Sequence, residues 1–136
     1  MLTPMANGMT VIAGQLAADY LQETGGDPGD LATSRVPSAA EVRAAFDNLG
    51  WPYDAVQHGD TWAFGPTDGT PHDFHEFELC DDAYHFRLGP DRGPFEIVRA
   101  IAKICGPQLA NEHSGTRTSV VTEHSTYDAF VADLFD

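Results

Sequence analysis

Fourteen residues, His75 to Leu88, constrain the fold of this chain more than any other stretch. Apolar and polar residues alternate on both sides of the pair Asp81-Asp82, and a period of two is the mark of a half-buried strand. With the two aspartates as a hairpin loop, Leu79 pairs with Tyr84, Phe77 with Phe86 and His75 with Leu88 on one apolar face. Cys80 pairs with Ala83 on the other face, where Glu78 faces His85 and Glu76 faces Arg87. A slip of one residue would send every aromatic ring to the solvent side, so the register is fixed by burial. The opposite charges across the strands add a few tenths of a kcal/mol per pair.

Such a sheet needs a cover over its apolar face, and the flanking sequence supplies helices. Ser38 and Glu41 form a capping box, Val42, Phe46 and Leu49 recur on one face, and Gly50 closes a helix over 38–49. Gly93-Pro94 opens another, with Ile97, Val98, Ile101, Ile104 and Cys105 as its buried stripe and Gly106-Pro107 as its stop. Ser125 is expected to cap a terminal helix carrying Tyr127, Phe130, Val131 and Leu134. At the amino end, Thr10 is expected to cap a helix whose stripe is Ile12, Leu16 and Tyr20 with Ala13, Ala17 and Leu21 beside them, ended by Gly25 and Gly26.

The stretch 24–37 is rich in Gly, Asp, Pro, Ser and Thr and reads as a flexible linker. The chain is thus expected to divide into a helix-plus-linker region, 1–37, and a single α+β domain, 38–136. A first hairpin over 53–64 has two possible loops. His58-Gly59 gathers Tyr53, Ala55, Trp62 and Phe64 on one face and is the expected one; Gly59-Asp60 would leave Trp62 opposite Gln57. Residues 107–115 read as a loop, and the β-branched run 116–122 as a fifth strand. The sum is an α+β fold: an antiparallel meander of four to five strands with helices packed on one face.

Charge sets the second constraint. The 136 residues carry 21 Asp and Glu against seven Lys and Arg, a net charge of −14. Residues 51–91 hold nine acids and one base, −8 of that total. Acid this dense repels nucleic acid and anionic membranes and attracts basic partners. Cys80 and Cys105 are too few for a disulfide framework, the first twenty residues hold no Lys or Arg, and no apolar run reaches about 18 residues. A soluble, cytoplasmic protein is the expectation.

No motif names a reaction. His72, His75, Glu76 and His85 have the chemistry of a metal site, but neighbours on a strand point to opposite faces, and Arg87 opposes Glu76. Cys80 beside His85 could form a nucleophilic pair, yet Glu78, Asp81 and Asp82 disfavour a thiolate. The acid pairs Asp27/Asp30 and Asp81/Asp82 lack the spacing of a calcium loop. No cofactor is called for.

The sequence therefore points to a small non-enzymatic binding module, inhibitor-like or immunity-like. It would meet a basic protein partner, one that itself binds nucleic acid in the narrower version, where carboxylates imitate phosphates. The contact residues expected are Glu76, Glu78, Asp81, Asp82, Asp60, Asp73 and Trp51, the last an aromatic ringed by acid and suited to cations. A small metal-dependent hydrolase using His75, Glu76 and His85 is the alternative. Acidity that merely keeps a structural domain soluble at high salt is the third. Direct nucleic-acid or membrane binding is not expected, and the oligomeric state is left open.

Overall fold

The alternating run folds in the register its pattern dictates. The fold is known from a computed structural model, which describes residues 8–49, 53–66, 75–87, 92–112 and 117–135. Its strands are β1 (Met9–Ile12), β2 (Tyr53–His58), β3 (Thr61–Pro66), β4 (His75–Leu79), β5 (Ala83–Phe86), β6 (Gln108–Glu112) and β7 (Thr118–Val121). Its helices are α1 (Gly14–Glu23), α2 (Ala39–Asp47), α3 (Arg92–Cys105) and α4 (Tyr127–Phe135), with a 3-10 turn at Leu31–Thr33. Between β4 and β5, Phe77 pairs with Phe86, Glu78 with His85 and Leu79 with Tyr84. The Cys80 N–H donates to Ala83 O at 2.8 Å, closing the loop at Asp81-Asp82. The expected His75–Leu88 pair lies outside the described residues.

The class is α+β, with seven antiparallel-paired strands rather than four to five, in the order β2-β3-β4-β5-β1-β6-β7. The additional strands are β1 and β6. Residues 9–12 are not the start of a helix capped by Thr10. They form a strand in mid-sheet, antiparallel to β5 on one side and β6 on the other. β5 and β6 therefore run parallel to each other, and α3 makes the crossover between them, as parallel strands require. Gln108–Glu112, expected as loop, is strand because its alternate side chains Gln108, Ala110 and Glu112 enter the interior.

Alternation assigns the two faces. The inner face carries Trp62, Phe77, Phe86 and Met9 in one row across four strands, all with no exposed surface. Trp62 meets Phe77 edge-on with ring centres 5.5 Å apart, and Phe77 meets Phe86 edge-on at 5.3 Å. Val42 and Phe46 of α2, Phe95, Ile97, Val98 and Ile101 of α3, and Phe130 and Leu134 of α4 complete this core. The first helix is the exception to one-sided packing. Ala17 and Ala18 of α1, with Leu31, pack against Ile12 and Leu109, which point to the outer face.

Several local expectations are corrected. Leu16 is 54% exposed and Tyr20 37%, because α1 turns Ala17 of the expected stripe, together with Ala18, to the sheet. Residues 24–37 include the buried Leu31 and Ser34, whose hydroxyl accepts the Gly14 N–H at 3.1 Å. The hydrogen bond from Arg35 N to Cys105 O, 3.1 Å, ties the same stretch to the end of α3. Ile104 is 36% exposed, outside the buried stripe of α3. At α4 the cap is Thr126, accepting the Ala129 N–H, while Ser125 bonds back to Thr122.

The hairpin of β2 and β3 takes the other register. His58 pairs with Thr61, Gln57 with Trp62 and Val56 with Ala63, so Gly59-Asp60 is the loop. Two forces select it. The first loop position needs a positive φ in either primed turn, and this loop puts Gly59 there, φ +63, where the other would put His58. β2 is an edge strand, so the core face is set by β3 against β4, not by gathering apolar residues on β2. The capping box of α2 is as expected, Ser38 accepting from the Glu41 N–H and Glu41 from the Ser38 N–H. Gly50 lies outside the described residues.

Candidate functional site

The outer face of the sheet holds one continuous polar row. His58, Thr61, Glu78, His85, Thr10, Asn111 and Thr118 stand side by side across all seven strands. Thr10 and His85 are hydrogen-bonded, Oγ1 to Nδ1, at 2.9 Å. On one side of this row lie Ile12, Leu109 and Val120, aligned across β1, β6 and β7. On the other lie Val56, Ala63 and Glu76. Two shallow hollows open on the face. One, about 260 Å3, is lined by Thr61, Glu76, Glu78, His85 and Arg87. The second, about 250 Å3, is lined by Thr10, Ile12, Tyr20, Leu109 and Asn111.

Of the expected contact residues, Glu76 and Glu78 are exposed on this face, and Asp81, Asp82 and Asp60 are exposed at the hairpin tips. The tips adjoin: the Leu79 N–H donates to Asp60 O at 2.8 Å. Asp60, Glu78, Asp81 and Asp82 thus share one end of the sheet. Among the described residues none of the four makes an ion pair, whereas Glu76 is held by Arg87 at 2.9 Å. Asp73 and Trp51 lie outside the described residues.

The chemistry available here is limited. His75 points inward, its ring 5.4 Å from that of Phe64, while Glu76 and His85 point outward. The three therefore do not share one face of the sheet. Among the described residues no three His, Cys, Asp or Glu are grouped to hold a metal ion. Partial desolvation, then the charges of Glu78, Asp81 and Asp60, push the Cys80 thiol above its ordinary range, away from the reactive thiolate. Cys105 is raised as well, by burial first.

The polar row and the apolar hollow were missed in the sequence because both depend on β1 and β6. The signal was weak: Met9 and Val11 flank Thr10 but Ile12 breaks the alternation, and Gln108–Glu112 places the polar Gln108 and Glu112 on the inner face. Among the described residues no helix is long and apolar enough to cross a membrane. No family model, no curated protein and no solved structure matches the chain.

Proposed function

We propose that this protein is a small non-enzymatic binding module that engages a basic protein through the acidic end of its sheet. One observation carries the proposal: Asp60, Glu78, Asp81 and Asp82 converge on two adjoining hairpin tips with no cation paired to any of them among the described residues. Carboxylates held on a rigid sheet keep their field fixed in direction, which raises encounter rates with an oppositely charged surface. In the narrower form the partner itself binds nucleic acid. Glu78, with Asp81 and Asp82 at the tip beyond it, then supplies the charges that substitute for phosphates. An inhibitor or immunity-type role follows from that form.

The test separates a site from mere acidity. Bait carrying Glu78→Lys, Asp81→Lys and Asp82→Lys is compared with wild-type bait in capture from native lysate. A control carries Asp19→Lys, Glu23→Lys and Asp47→Lys, which changes net charge equally at exposed positions elsewhere. Basic proteins retained by wild type and control but lost from the tip variant support the proposal. Equal loss from both variants would reduce the acid to a solubility feature.

A further inference from the structure

The apolar hollow beside α1 is an unlikely feature for a face that serves charge alone. Tyr20 forms its rim, Ile12 and Leu109 its floor, and Leu16 and Val120 add exposed apolar surface nearby. It abuts the charged hollow at the Thr10–His85 hydrogen bond, so the two form one trough across the outer face. Arg87 neutralises Glu76 within the charged hollow, which leaves Glu78 as its carboxylate without an ion-pair partner among the described residues. A second copy of this chain is a poor occupant, since each copy carries −14.

We infer that the trough takes one segment of a basic protein, an apolar side chain seated between Ile12 and Tyr20 and a Lys or Arg seated on Glu78. This rests on the proposed function and adds the pattern the partner must carry. The spacing follows from the strand order. The floor of the apolar hollow lies between β1 and β6, two and a half strand spacings from β4, and two residues along the strand from the row of Glu78, so the two seats are about 14 Å apart. Charge draws the segment in, and the apolar anchor slows its departure.

The probes are blocked peptides Leu-(Gly-Ser)n-Arg with n from 1 to 5, titrated into the isotope-labelled full chain and followed by amide chemical shifts. A flexible spacer of about six residues has a mean span on the order of 12–15 Å, so affinity should peak near n = 3. Shifts are expected at Ile12, Leu109, Thr61 and Glu78. Replacing Leu by Ser, or Arg by Gln, in the peptide should weaken binding at least fivefold. In the protein, Tyr20→Ser should remove the dependence on Leu, and Glu78→Gln the dependence on Arg; both positions are exposed, and the amide spectrum reports that the fold persists. Equal binding of the Ser peptide, with Arg-dependent shifts intact at Glu78, would overturn the apolar anchor and leave the basic-partner proposal standing. Equal binding of the Gln peptide, or no shift in either hollow at millimolar peptide, would overturn the inference, and Arg-independent binding would remove the basic-partner proposal with it.

Discussion

Glu41 does three jobs with one carboxylate. It accepts the Ser38 N–H at 2.9 Å and takes both guanidinium nitrogens of Arg35 at 2.5 Å each. The Arg35 bonds first, then the Ser38 N–H, lower its pKa to about 2. A carboxylate depressed in the folded state stabilises above its unfolded value, about 4.3, and that contribution fades as pH falls to about 2. Glu41→Gln should therefore destabilise at pH 7 more than at pH 2, measured by denaturant unfolding at each pH. An equal loss at both would show that the ion pair contributes nothing. In the core, Phe77 and Phe86 are fully buried and packed edge to face, so Phe77→Ala or Phe86→Ala should cost about 3–5 kcal/mol. That is a large share of the stability of a small domain. A loss under about 1 kcal/mol at both would contradict their place at the centre of the inner face.

Elements were legible where local pattern and tertiary demand agree. The β4–β5 register and the capping box of α2 are of this kind: turn, alternation and cap all point one way. They were illegible where an element is short and its state is decided by neighbours. Four residues, Met9–Ile12, carry too little pattern to separate a strand from the first turn of a helix, and only pairing on both sides makes them a strand. Gln108 looks like loop in sequence, yet it is fully buried because Tyr84 donates to its Oε1 at 3.0 Å and its Nε2 donates to Arg35 O and Gly106 O at 2.9 Å. The β2–β3 hairpin misled because the apolar count favoured one loop while Gly59 favoured the other. Gly59→Val should therefore cost at least about 1 kcal/mol, since a β-branched residue is strained at positive φ. Open space around the position excludes a steric clash as the cause. No change in unfolding midpoint would show that the turn does not require positive φ at that position. Deleting residues 1–13 should abolish cooperative unfolding, because it removes the strand between β5 and β6. Cooperative unfolding of a 38–136 chain would show instead that the sheet closes without it.

Across the whole molecule, two faces with different tasks account for the composition. The inner face holds the aromatic core under α2, α3 and α4. The outer face is left to solvent over β4 and its neighbours, where Glu76 and Glu78 stand, and is partly covered by α1 at the far side. The outward placement of Glu76 and Glu78 was legible from spacing alone, because a hairpin with a known loop fixes which side chains point out. The convergence of the tip acids with Asp60 was not, since it needs the true β2–β3 turn, and the trough beside α1 needs two short strands whose hydropathy does not alternate. The claim that joins these observations is that fixed acid at one sheet end steers a basic partner. The direct measurement is the association rate of the captured partner with wild type and with the Glu78→Lys, Asp81→Lys, Asp82→Lys variant, at low salt and at 1 M. Screening lengths fall from about 10 Å at 0.1 M salt to about 3 Å at 1 M. Wild type should associate at least tenfold faster than the variant at low salt, and the difference should vanish at 1 M. Equal rates at low salt would contradict the account.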